Sequence, residues 1–153
     1  MNKLLDKHPR SREALLAILH DVQDANSERC VPDDALREVA EYVGIPLSEV
    51  ISTATFYSMY SRRPRGRHIV RVCVSPPCRL TEGVDLLAVL TQQLGVRVGE
   101  TTNDGAFTLE VTSCLGLCAE PPAMMVDDRI VGRLTPEKVA SVLAEARRND
   151  AAK

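Results

Sequence analysis

No apolar run in this sequence approaches the ~20 residues that a membrane-spanning helix needs. Aromatic residues make up only 3% of the chain and tryptophan is absent, so the few rings present are expected to serve packing. Neither sign of charge dominates. The formal net charge of −2 gives no overall pull toward nucleic acid or an anionic membrane. The first residues, MNKLLDKHPRSREALL, place charges where a signal peptide needs its apolar stretch, and they offer no small-residue cleavage site. A cytoplasmic location is therefore expected, where thiols stay reduced. There is no C-x-x-C, which argues against a disulfide exchanger, and no G-x-G-x-x-G, which argues against a dinucleotide-binding loop. No nucleophile stands beside a base and no acid–base pair stands out, so the isolated chain is not expected to be an enzyme. Repeats and low-complexity tracts are also missing.

What is present suits a small soluble domain with an appendage. The 153 residues are 44% hydrophobic and 26% charged. A chain of this length buries roughly 70% of its unfolded surface and needs no disulfides to fold. The apolar period changes along it. Leu15, Leu16, Ile18, Leu19 and Val22 mark one helical face. Pro32, Asp33 and Asp34 open a second helix, with acids at its positive end. Leu36, Val39, Ala40 and Val43 form that helix's stripe and Gly44 its C-cap. A third helix should run from Pro46 to about Tyr60, with Val50, Ile51 and Ala54 inward. The polar SRRPRGR (61–67) reads as a linker. Beyond it come a short strand, HIVRVCV (68–74), an amphipathic helix over 82–95 closed by Gly95, and an alternating strand, FTLEVTS (107–113). Two strands around Asp127-Asp128 follow. A last helix is capped by Thr135, opened by Pro136 and striped by Val139, Val142, Leu143 and Ala146. The expected organisation is α/β, with a helical region over 1–66 and a β-α-β-β-β-α domain over 67–153.

Four of the five cysteines fall in CVSPPC (73–78) and SCLGLC (113–118). Four residues lie between Cys73 and Cys78, and three between Cys114 and Cys118. Each pair follows a predicted strand. If those strands are parallel neighbours, their C-terminal ends bring four thiolates to one edge of the sheet, where open α/β sheets bind ligands. Four thiolates suit zinc or an iron–sulfur cluster. Structural zinc sites most often use C-x2-C knuckles, whereas a [2Fe–2S] cluster takes two cysteines per iron and tolerates wider gaps. The spacing favours iron–sulfur and leaves zinc open. Four buried structural cysteines are the plain alternative, although buried cysteines seldom cluster in loops rich in proline and glycine.

TATFYSMY (53–60), the C-x4-C and SCLGLCAEPPAMMVDDRIVGRLTPEKV (113–139) together resemble one family over nearly the whole chain. It is that of the NuoE-type subunits, the small thioredoxin-like [2Fe–2S] proteins of the NADH dehydrogenase module in respiratory complex I. Such subunits recur in NAD-linked formate dehydrogenases and hydrogenases. The resemblance implies helices followed by a thioredoxin-like [2Fe–2S] ferredoxin domain. It implies one cluster, with Cys73 and Cys78 on one iron and Cys114 and Cys118 on the other. It also implies an electron carrier beside a larger FMN- and NAD(H)-binding iron–sulfur flavoprotein, those two cofactors being on the partner and not on this chain. The carrier would stay in the cytoplasm and meet the membrane only through its complex. A cis proline at Pro122 would fit the same fold. Two features depart from the family: Ser75-Pro76-Pro77 replaces a loop richer in Gly, Thr or Ala, and Arg79 stands where histidine is frequent. Two prolines withhold two N–H donors from the cluster sulfurs, which should lower the potential, while the Arg79 charge should raise it.

A different class of function rests on LREVAEYVGIPLSEVI (36–51), where Ala40, Gly44 and Val50 have the spacing of a helix-turn-helix. Next to a metal site this could be a redox-sensing DNA-binding regulator. The would-be recognition helix, in PLSEVISTATFYSMY (46–60), has no Lys or Arg and carries Glu49, which is poor chemistry for phosphates and base edges. Arg62, Arg63, Arg65, Arg67, His68 and Arg71 form a basic run, read as solvated surface or as a docking patch for an acidic partner. Cys30 reads as a spare thiol, and His8, His20 and His68 show no metal spacing. Phe56 and Tyr57 read as packing residues, either in the core or between subunits.

Overall fold

The computed structural model describes residues 2–81 and 85–151. The chain divides into two compact units, Met1–Arg65 and Gly66–Lys153.

The first unit is helical: α1 (Asn2–Leu5), a 3-10 turn (Arg12–Ala14), α2 (Leu15–Ala25), α3 (Asp33–Val43) and α4 (Leu47–Phe56). Leu15, Ile18, Leu19 and Val22 of α2 are buried with Leu36, Val39, Ala40 and Val43 of α3 and Val50 and Ala54 of α4. Each large side chain so buried contributes about 1.5–3 kcal/mol. Leu16 is exposed, contrary to its place in the expected stripe. It sits about 100° round the helix from Leu15, off the 15–18–19–22 row. Gly44 adopts φ +78 and lets its own N–H and that of Ile45 return to the Ala40 carbonyl at 2.9 and 3.1 Å. Ala40 and Val50 are buried at this turn, and α4 shows Ser48, Ser52, Thr55 and Phe56 outward, with no basic side chain among them. The helix–turn–helix is a packing device here.

α4 ends at Phe56, four residues before the expected stop. Tyr60 is buried and its hydroxyl donates to the Leu16 carbonyl at 2.7 Å. The buried Gln23 amide bonds both the Met59 carbonyl (3.0 Å) and the Ser61 N–H (2.8 Å). These bonds draw the chain out of the helix. In the basic run that follows, Arg62, Arg63 and Arg67 are exposed, as solvated surface would be, and Arg65 is the exception. Ser61 accepts from the Val31 N–H at 2.7 Å, and Arg62 pairs with Asp33 at 2.7 Å. Arg65 is buried, with its backbone N–H on the Glu28 carbonyl and its Nε on the Arg29 carbonyl, both at 2.8 Å.

The second unit holds a four-stranded sheet in the order β2-β1-β3-β4. Its elements are β1 (His68–Cys73), α5 (Pro76–Arg79), α6 (Leu86–Leu94), β2 (Phe107–Thr112), β3 (Met124–Val126), β4 (Arg129–Val131) and α7 (Pro136–Ala151). Residues 82–84, where the sequence pattern starts the second-half helix, lie outside the described residues; Asp85 caps α6 by accepting from the Ala88 N–H. β1 is central, parallel to β2 and antiparallel to β3. Val70, Val72, Phe107, Leu109 and Met124 pack with Leu86 and Leu90 of α6 and with Val139, Val142 and Leu143 of α7. Val111 breaks the expected alternation and is exposed, because β2 is leaving the core there for the Cys114 loop. At the opposite end of β1, His68 lies between Asp127 (2.7 Å) and Asp150 (3.0 Å), and Arg67 also reaches Asp150 at 2.8 Å. Arg71 pairs with Glu110 at 3.0 Å.

Candidate metal centre

Parallel pairing of β1 with β2 sets Cys73 opposite Thr112, two residues before Cys114. The Val74 N–H donates to the Thr112 carbonyl at 3.1 Å, and the Cys73 N–H to the Ala123 carbonyl at 3.1 Å. Three chain segments therefore meet where β1 ends. The peptide between Pro121 and Pro122, which leads into Ala123, is cis.

The stretch after Cys73, expected as a plain loop, is a helical turn. Ser75 is extended (φ −68, ψ 154), Pro76 and Pro77 take the first two helical positions, and the Cys78 and Arg79 N–H groups return to the Ser75 carbonyl at 3.0 and 3.1 Å. Proline suits these positions because its φ is preset and no N–H is needed there. The turn folds Cys78 back beside Cys73. Both are buried together with Ala123, and half-buried Leu115 and Leu117 pack against them.

Cys114 and Cys118 are exposed, and their sulfurs lie 3.0 Å apart. Gly116, at φ +81, turns its N–H onto the Cys114 sulfur at 3.4 Å. Cys118 occupies the turn closed by the Glu120 N–H on the Leu117 carbonyl at 3.0 Å.

The two pairs sense each other. Burial raises the Cys73 thiol, but the Ser75 N–H, the Cys78 thiol, the Leu115 N–H and the Ser75 hydroxyl outweigh it and leave Cys73 below the usual thiol value. Burial and the Cys73 thiol push Cys78 up, against an Ala123 N–H, with charge on Cys73 and Cys114 adding to the rise. Cys118 is raised by its bond to Cys114, then by burial and by charge on Cys114, Cys73 and Cys78. Four thiols thus stand within electrostatic reach, as two contacting pairs. Two pairs are the arrangement that two bridged irons require. The donor set is all sulfur, it is arranged in pairs, and backbone N–H groups point at it, so it fits a [2Fe–2S] cluster.

Cys30 belongs to the helical unit, where it is buried, and burial followed by Glu28 pushes its thiol up. The histidines pair with carboxylates: His8 with Asp21, His20 with Asp24, and His68 with Asp127 and Asp150. Sequence reading missed the donors from Ser75, Leu115 and Ala123. Only Ser75 carried a signal, as a small polar residue before two prolines.

The family model for the thioredoxin-like [2Fe–2S] ferredoxin matches residues 1–147. The E subunit of the NADH-quinone oxidoreductase of Pseudomonas aeruginosa is 45% identical over 113 residues, spanning 74% of this chain and 68% of that one. Its counterpart of the same name in Escherichia coli K12 is 43% identical over the same shares. A chain of an NAD+-reducing [NiFe]-hydrogenase, solved in the air-oxidized state, superposes with a TM-score of 0.76 at 22% identity. That match takes in 92% of this chain but only 24% of the hydrogenase chain, and at such identity it speaks for the fold alone.

Proposed function

We propose that this chain, which belongs to the thioredoxin-like [2Fe–2S] ferredoxin family, is the one-cluster electron carrier of an NAD-linked oxidoreductase complex. The observation that carries the reading is the meeting of two thiol pairs at the C-terminal ends of two parallel strands. Cys73 and Cys78 would hold one iron, and Cys114 and Cys118 the other. When bound, a [2Fe–2S] cluster accepts and releases one electron at a time.

The chain's own residues supply the setting. The central strand and the Pro76–Arg79 turn bury one pair, while Ser75, Leu115 and Ala123 aim donors at its sulfurs. Donors of this kind stabilise the more negative, reduced state. The second pair faces outward, which opens that side of the centre to a redox partner. The partner we assign is a larger FMN- and NAD(H)-binding flavoprotein that receives the hydride, so this chain needs neither cofactor. A flavin can pass electrons singly, which matches a one-electron carrier. NADH dehydrogenase, formate dehydrogenase and hydrogenase complexes all suit such a carrier. The relatives at 45% and 43% identity are NADH-quinone oxidoreductase subunits, which favours the first. Among the described residues no helix is long and apolar enough to cross a membrane. We place the protein in the cytoplasm, touching a membrane only through its complex.

The test is anaerobic purification with metal analysis and electron paramagnetic resonance (EPR). A brown protein with one reducible [2Fe–2S] signal per chain supports the reading, and a colourless protein with stoichiometric zinc overturns it.

A further inference from the structure

The segment after β4 lies against the turn that carries Cys118. A Cβ on Gly132 would stand 2.5 Å from the Glu120 carbonyl oxygen, 2.6 Å from Leu117 Cδ2 and 2.9 Å from Glu120 Cβ. Contacts this short mean that no side chain fits there without moving the turn. Arg133 takes a left-handed φ of +49, and its N–H donates to the Glu120 carbonyl at 2.8 Å. Its guanidinium reaches the Glu120 carboxylate at 3.1 Å. The Leu134 N–H donates to the Pro122 carbonyl at 3.2 Å. From the other side, Lys138 Nζ donates to the Gly132 carbonyl at 2.7 Å and ties the segment to α7.

Residues 132–134 thus form a strap that touches both ends of the Leu117–Glu120 turn. At one end it presses on Leu117, which itself packs against Cys73, Cys78 and Ala123. At the other it bonds Glu120. Cys114, Gly116 and Cys118 of the cysteine loop are exposed, and the strap backs that loop through Leu117 and Glu120.

We infer that Gly132 is a positioning residue for the metal centre: the close backbone approach that it permits sets Cys118 at its distance from the buried pair. The inference rests on the assignment of the four cysteines to one cluster. Gly132→Ala drives the turn outward and changes the geometry at the iron held by Cys114 and Cys118. Leu117→Ala removes, without adding a clash, the side chain through which the strap bears on the buried cysteine pair. It removes only a half-buried side chain, so it tests the idea even if Gly132→Ala fails to fold. Gly95→Ala, a glycine with φ +69 at the end of α6, is the control for general destabilisation.

The experiment compares the EPR spectrum of each reduced, cluster-loaded chain and the rate at which a chelator strips its iron. Gly132→Ala and Leu117→Ala are expected to shift the spectrum and to lose iron about tenfold to a hundredfold faster than the parent chain. Gly95→Ala is expected to melt earlier with a parental spectrum. Parental spectra and loss rates in both Gly132→Ala and Leu117→Ala would overturn the inference, as would a spectral change in Gly95→Ala equal to theirs. If the parent chain itself shows no [2Fe–2S] signal, the function reading fails instead.

Discussion

Ser75 and Pro77 act on Cys73 and its neighbours through one atom type, the hydrogen-bond donor. Ser75 offers Cys73 both its N–H and its hydroxyl. Pro77, in the second helical position, offers nothing where another residue would present an N–H. Donors to sulfur favour the reduced state, so the two sites should respond oppositely. Ser75→Ala is expected to lower the midpoint potential and Pro77→Ala to raise it, each on the order of tens of millivolts, as follows for a one-electron couple from the net worth of one hydrogen bond. A redox titration of the three loaded chains reads both, and unchanged potentials would show that these donors do not tune the centre. Cys30 is the matching negative case. Cys30→Ser should leave iron content and the EPR spectrum as they are, whereas Ser at Cys73, Cys78, Cys114 or Cys118 should lose or destabilise the cluster.

At the scale of elements, hydrogen bonds between segments remote in sequence override local propensity. The Tyr60 hydroxyl and the Gln23 amide end α4 early. Tyr60→Phe should cost about 0.5–1.5 kcal/mol in denaturant unfolding, the net worth of one hydrogen bond, with the cluster spectrum unchanged. A loss of cluster in that variant would mean that the helical unit does more than pack. The same contrast explains what could be read from the sequence. Helix stripes such as 36–39–40–43 and the strands at 68–73 and 107–112 follow from apolar periodicity, and the parallel pair then brings the cysteines together. α5 escaped because four residues are too short to show a period. The burial of Arg65 within the basic run escaped because bonds to the backbone of residues 28 and 29 leave no mark in side-chain pattern. The strap at 132–134 escaped for a related reason: a glycine in sequence does not say which backbone it lets approach.

In the second unit as a whole, one cluster of charged groups, Arg67, His68, Asp104, Asp127, Arg147 and Asp150, lies at the end of the sheet opposite the cysteines. Asp104 is held at about 2 by the Thr102 hydroxyl and the Ala106 N–H, with Arg147 adding to them. Asp150 is lowered chiefly by Arg67, with His68 contributing. A carboxylate whose folded value is depressed stabilises the fold above its unfolded value, and that contribution is lost as pH falls through the folded one. Stability should therefore hold from neutrality down to about pH 4 on account of these groups and decline from there toward pH 2. Asp104→Asn should flatten that part of the profile. A thermal melt series from pH 7 to pH 2 checks it, and an unchanged acid limb in Asp104→Asn would show that Asp104 has no part in it.

One cluster held by two thiol pairs is the central claim. Its most direct test is the Mössbauer spectrum of the chain loaded with enriched iron, before and after reduction. Two iron sites in equal amount, both tetrahedral and sulfur-bound, with one becoming ferrous on reduction, are the expected result. A single iron environment in the reduced chain, or a chain that takes up zinc in place of iron, would contradict it.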